Sequence, residues 1–129
     1  FSVEKLDDGT VRVGRSRIVG LPISLMLLSR DATVTIAHSR SVDLASLVGE
    51  SDVIVSGVGK PGLVQPEHVR PGALLVDVGT SYTQGRPVGD IDPRCADVAA
   101  ALTPVPGGVG PLTVAMLMDN VVQCAVDRG

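Results

Sequence analysis

Short apolar runs alternate with longer mixed segments from one end of this chain to the other. Thr10–Val13, Thr33–Ala37, Val53–Ser56 and Leu74–Val78 are rich in β-branched residues and are predicted strands. Their apolar residues fall on consecutive positions, which predicts a parallel sheet buried on both faces. Between them, Leu21–Ser29, Leu44–Gly49 and the stretch around Val64–Val69 supply helices or helical turns. Leu102–Val105 adds a candidate strand. Pro111 to Arg128 carries the best helical pattern, with Val114, Leu117, Met118, Val121, Val122 and Ala125 at helical spacing. The alternation predicts a doubly wound α/β domain with a mainly parallel sheet, a single domain over residues 10–129. Residues 1–9 form an extension. Phe1, Val3 and Leu6 lead into the turn signal Asp7-Asp8-Gly9, so a hairpin with Thr10–Val13 is expected.

Composition narrows the function. The chain has 129 residues, the length of one domain by the prior of ~100–200 residues per domain. It holds one Phe, one Tyr and no Trp, so the core must come from aliphatic residues. The same shortage argues against a stacking platform for single-stranded nucleic acid. A net charge of −3 disfavours general binding to a nucleic-acid backbone. Uninterrupted apolar stretches stay far below the ~20 residues of a membrane span, so a soluble, cytoplasmic protein is expected. Cys95 and Cys124 lack metal-ligand spacing, and two inert, partly buried thiols are expected.

The run Gly14-Arg15-Ser16-Arg17-Ile18-Val19-Gly20-Leu21-Pro22 joins the first strand to the first helix. Helix-start N–H groups are unpaired and the helix dipole favours negative charge there, so such a turn can hold a phosphate. The run resembles the dinucleotide fingerprint, with Ser16 in place of the second glycine and a last gap one residue longer. A plain structural turn is the alternative. In that fold an acid at the end of the second strand holds the ribose of NAD, whereas an arginine accommodates the 2′-phosphate of NADP. Here the second strand ends in His38-Ser39-Arg40, with no acid before Asp43. Arg15, Ser39 and Arg40 could converge on a 2′-phosphate, with Arg17 and His38 nearby. Solvated surface arginines are the common case. The joint placement at two strand ends is what favours the phosphate.

Thr103-Pro104-Val105-Pro106-Gly107-Gly108-Val109-Gly110-Pro111 presents bare backbone just ahead of the last helix, with a cis X-Pro bond allowed. Thr113 follows in the first helical turn, where it could meet the nicotinamide end of a cofactor. Gly57-Val58-Gly59-Lys60 and Asp77-Val78-Gly79-Thr80 also follow predicted strands, at the edge where open α/β sheets bind ligands. Asp77 and Asp90 are expected to fix loops by hydrogen bonds rather than to act as bases. Lys60 reads as an exposed loop residue.

Together these residues resemble the nucleotide-binding domain of the methylenetetrahydrofolate dehydrogenase/cyclohydrolase family. The likeness runs from about Val11 to Ala125. It is most specific at Gly14-Arg15-Ser16, Ile18-Val19-Gly20-Leu21-Pro22, Ala32-Thr33-Val34-Thr35, His38-Ser39-Arg40, Asp77-Val78-Gly79 and Thr103 through Thr113. It implies a Rossmann-like fold, NADP as cofactor and a part in one-carbon folate metabolism. The reactions implied are oxidation of 5,10-methylenetetrahydrofolate to the methenyl form, then hydrolysis to 10-formyltetrahydrofolate. By the same likeness, Gly14, Arg15 and Ser16 match the cofactor turn, and Ser39 with Arg15 matches the 2′-phosphate contacts. Thr80 and Thr113 match positions at the cofactor, and Pro106, Gly107 and Gly110 match a segment shared by cofactor and folate.

Two departures qualify the likeness. Gly79-Thr80-Ser81 stands where the family usually has Gly-Ile-Asn. The family's catalytic Lys and Tyr lie in a folate domain ahead of the first strand, where this sequence holds only residues 1–9. Lys5, Lys60 and Tyr82 do not stand in the matching context. The expectation is therefore a cofactor half, with no catalytic residue of its own, that binds NADP but turns over little folate unless a folate domain is supplied. The alternative is a non-catalytic NADP-binding module that docks a protein partner or pairs with itself as a homodimer.

Overall fold

The computed structural model describes residues 10–14, 16–38 and 40–128, with the backbone alone at 10–13. The expected amino-terminal hairpin falls outside these residues. The elements are β1 (Thr10–Gly14), α1 (Gly20–Leu28), β2 (Thr33–Ala37), α2 (Leu44–Gly49), β3 (Val53–Ser56), β4 (Leu74–Asp77), β5 (Ser81–Thr83), β6 (Arg86–Val88), β7 (Ala101–Leu102) and α3 (Val109–Arg128). β1, β2, β3, β4 and β7 form one sheet in the order β2-β1-β3-β4-β7. Every pairing in it is parallel. From β1 the chain goes to one side for β2 and crosses to the other for β3. The topological switch point therefore lies between β1 and β3, where doubly wound sheets open a crevice at their carboxyl ends.

Side-chain alternation along the strands divides the core. Ile54 and Leu75 face a cluster with Val48 of α2, Val64, Val69, Ala73, Ile91 and Cys95. Val55, with Val53, Val34 and Val76 around it, packs on the other face beside Ala32 and against Ile23 and Leu27 of α1. The aliphatic core expected from composition is what the fold uses.

The stretch around Val64–Val69 does supply a helical turn, the 3-10 turn at Pro66–His68, as expected. Several other elements depart from expectation. The Leu102–Val105 strand shrinks to Ala101–Leu102, since Pro104 has no N–H to give a sheet. The antiparallel pair β5–β6 and a 3-10 turn at Pro93–Asp97 were not foreseen. Cys95 is fully buried and its thiol donates toward the Val64 carbonyl at 3.7 Å, with burial pushing its pKa up. Cys124 is exposed, so only one thiol matches the expected burial.

α3 begins two residues before Pro111, and none of its residues is buried. Leu117, Val121, Val114, Ala125, Met118 and Val122 share one broad side, and Asp119, Asn120, Gln123 and Asp127 share the other. By length and composition alone this helix could also cross a bilayer. Within α1, Leu21, Leu25, Met26 and Leu28 are likewise exposed.

Candidate functional site

All the glycine turns noted in the sequence, together with the end of β2, gather along the carboxyl edge of the sheet. At the first of them, the Ser16 hydroxyl accepts the amides of Val19 (3.2 Å) and Gly20 (3.0 Å), and its carbonyl accepts from Leu21 (2.9 Å). Two helix-start donors expected to be open are thus capped from within the turn. Serine in place of the fingerprint's second glycine has a structural use here. Arg15 lies outside the described residues, and Arg17 is exposed.

The end of β2 is knitted by local bonds. His38 donates its backbone N–H to Ser41 Oγ (3.0 Å), and its Nδ1 accepts from the Arg40 amide (3.1 Å). Ser39 lies outside the described residues. Asp43 takes a left-handed conformation and accepts from the Ser46 amide at 3.0 Å, so this first acid after β2 is occupied as the cap of α2. Between these turns and β3 lies a cavity of about 300 Å³ whose lining includes Gly14, Ala37, His38, Ser41, Val58 and Lys60. It sits at the switch point.

Two buried carboxylates organise the middle of the edge. Asp77, at the end of β4, accepts from the amides of Gly79 (3.0 Å) and Asp90 (3.1 Å) through Oδ1 and from Ile91 (2.8 Å) through Oδ2. Asp90 is fully buried and binds the loop after β3. The two are interlocked sterically. A Cβ on Gly79 would overlap the Asp90 carboxyl, and one on Gly89 would overlap that of Asp77, so only glycine lets the chains approach this closely. Burial pushes the Asp77 carboxyl above its ordinary value. Its backbone bonds to Ile91 and Asp90 pull the other way, the neighbouring Asp90 charge adds to the rise, and the Gly79 bond again opposes it. Both aspartates fix loops by hydrogen bonds, as expected.

The second cavity, about 550 Å³, lies beyond Asp77. Thr80, Pro106, Gly107, Gly110 and Thr113 all line it. Pro106 follows a cis peptide bond. The Thr113 hydroxyl donates to the Val109 carbonyl at 3.0 Å, which turns it back onto its own helix. Asp77 and Thr103 are joined, the Thr103 hydroxyl accepting from the Asp77 amide at 2.8 Å. The structure also brings Tyr82 and Pro87 of the β5–β6 hairpin to this cavity. Their part was not read from the sequence because the hairpin itself was missed.

Residues 2–128 match the family model of the tetrahydrofolate dehydrogenase/cyclohydrolase NAD(P)-binding domain. The chain belongs to this family. Among its relatives is the bifunctional protein FolD of Thermus thermophilus, 52% identical over 128 residues, covering 99% of this chain and 45% of the relative. Solved structures agree. A bifunctional FolD methylenetetrahydrofolate dehydrogenase/cyclohydrolase from Campylobacter jejuni is similar with a TM-score of 0.90 at 39% identity, covering 95% of this chain and 44% of that one. The Trypanosoma brucei enzyme, solved with NADP cofactor and an inhibitor, gives a TM-score of 0.80 at 44% identity, covering 92% and 44%. The chain thus spans a little under half the length of the relatives it matches. It is a Rossmann-like NAD(P)-binding domain of the dehydrogenase/cyclohydrolase family.

Proposed function

We propose that this chain is the NADP-binding half of a bifunctional methylenetetrahydrofolate dehydrogenase and methenyltetrahydrofolate cyclohydrolase. The observation that carries the reading is the row of two cavities along the carboxyl edge, one at the switch point and one at the Pro106–Thr113 loop. The residues present fit a dinucleotide laid across them. In this reading the adenosine half occupies the first cavity, against Gly14 and the loop carrying Ser16. Arg15 and Ser39 hold the 2′-phosphate. The nicotinamide half occupies the second, between Thr80 and Thr113. Pro106, Gly107 and Gly110 form the wall shared with the folate substrate. When bound, NADP would supply the hydride acceptor for oxidation of 5,10-methylenetetrahydrofolate. The chain's own residues bind and orient the cofactor, and hydride transfer needs the donor held equally well by folate-binding residues.

Arg15→Ala tests the assignment. A charge-assisted contact to the 2′-phosphate predicts roughly a tenfold or greater loss of NADPH affinity with NADH affinity nearly unchanged. Equal losses for the two would contradict it.

The bare apolar sides of α3 and α1 also support a second reading, a cofactor-binding module that docks a partner or a second copy of itself.

A further inference from the structure

We propose that Asp90 is a positioning residue for the adenosine half of the dinucleotide, holding the loop after β3 in its ligand-accepting shape before anything binds. The inference rests on the dinucleotide reading above. Its basis is how the hydrogen bonds of one buried carboxylate are allocated. Asp90 Oδ2 accepts from the Ser56 hydroxyl (3.0 Å) and the amides of Val58 (2.6 Å) and Gly59 (3.1 Å). Oδ1 accepts from the Lys60 amide (2.8 Å). Three consecutive amides therefore converge on an anion that the protein itself supplies.

Two consequences follow. Those amides are already taken, so the loop after β3 offers no such donors to a cofactor phosphate. It also cannot wander. A segment containing Gly57 and Gly59 would sample many conformations if free, and ordering it on binding would subtract from affinity. Ser56, Val58 and Lys60 all line the cavity at the switch point, whereas Asp90 lines neither cavity. Its influence passes through the loop. The anchor is itself anchored, because Asp77 accepts from the Asp90 amide and Gly79 leaves room for the Asp90 carboxyl.

The test uses two probes, NADPH and 2′-phospho-ADP-ribose, which lacks the nicotinamide. Calorimetry on the 129-residue chain compares the unsubstituted protein, Asp90→Asn and Ser51→Ala. Ser51 is fully buried and donates to the Leu47 carbonyl of α2, and neither residue lines a cavity, so its loss lowers stability without removing a cavity wall. Asp90→Asn should weaken both probes by the same factor, roughly tenfold or more, while Ser51→Ala leaves both affinities unchanged. Unchanged affinity in Asp90→Asn, or an equal loss in Ser51→Ala, would overturn the inference and leave the dinucleotide reading standing. An unsubstituted chain that binds neither probe would overturn both. Should Asp90→Asn fail to fold, amide hydrogen exchange in the unsubstituted protein decides. Val58, Gly59 and Lys60 protected alike with and without 2′-phospho-ADP-ribose support a preformed loop, and protection that appears only with the probe overturns it.

Discussion

Three aspartates near the carboxyl edge do two different things, and their surroundings decide which. Asp77 and Asp90 are buried and spend their oxygens on backbone amides. Asp92 is the cap of the Pro93–Asp97 turn, accepting from the Arg94 amide at 2.9 Å and from its guanidinium at 2.8 and 3.0 Å. The Arg94 side chain, followed by its amide, lowers the Asp92 carboxyl to about 2. A depressed native pKa means that this contribution to stability is present above the ordinary carboxylate pKa of 3.8 and lost as pH falls through about 2. A carboxyl-carbon NMR titration should therefore place the Asp92 midpoint near 2, and a midpoint at the ordinary value would contradict the pairing. Little of this was legible beforehand. The sequence shows that Asp77 follows a strand and precedes a glycine. It does not show that Asp90 meets amides some thirty residues earlier in the chain, because that proximity exists only once β3 and β4 are paired.

At the scale of elements, the parallel strands were the most readable part. β2 and β3 fall on the expected residues, and β1 and β4 differ by one at their ends, because runs of β-branched residues bounded by turn signals leave little choice. The β5–β6 hairpin escaped for a physical reason. Its turn places Gln84 (φ 52°) and Gly85 (φ 76°) in the left-handed region, where asparagine or aspartate before glycine would have announced it. Pro87 in its second strand further masks it, although an edge strand tolerates proline. The Ser16 cap belongs to this scale as well. Ser16→Ala removes the acceptor of two amides at the start of α1 and should cost about 1 kcal/mol in urea unfolding. No loss of stability would mean that the hydroxyl is not the cap.

For the whole molecule, the sheet order and the two-sided core hold the loops that line both cavities. What the sequence left unread is where α3 rests. Periodicity reveals that a helix has an apolar side, and it does not reveal what that side meets. Here Leu117, Met118, Val121 and Val122 are exposed, as are Leu25 and Met26 of α1. Bare faces of this kind favour association. On gel filtration the chain should therefore run larger than a monomer at high concentration. Leu117→Asp combined with Val121→Asp should return it to the monomer with NADPH binding intact. A strictly monomeric unsubstituted chain would mean that those faces are not open in solution.

The carboxyl edge of the sheet should bind a dinucleotide and read its 2′-phosphate. Titrating the chain with NADPH and with NADH, while following the fluorescence of the reduced nicotinamide, tests it most directly, since the protein has no Trp to interfere. Saturable NADPH binding, at least roughly tenfold tighter than NADH, is the predicted result. Equal affinities would contradict the 2′-phosphate site, and binding of neither would contradict the dinucleotide site altogether.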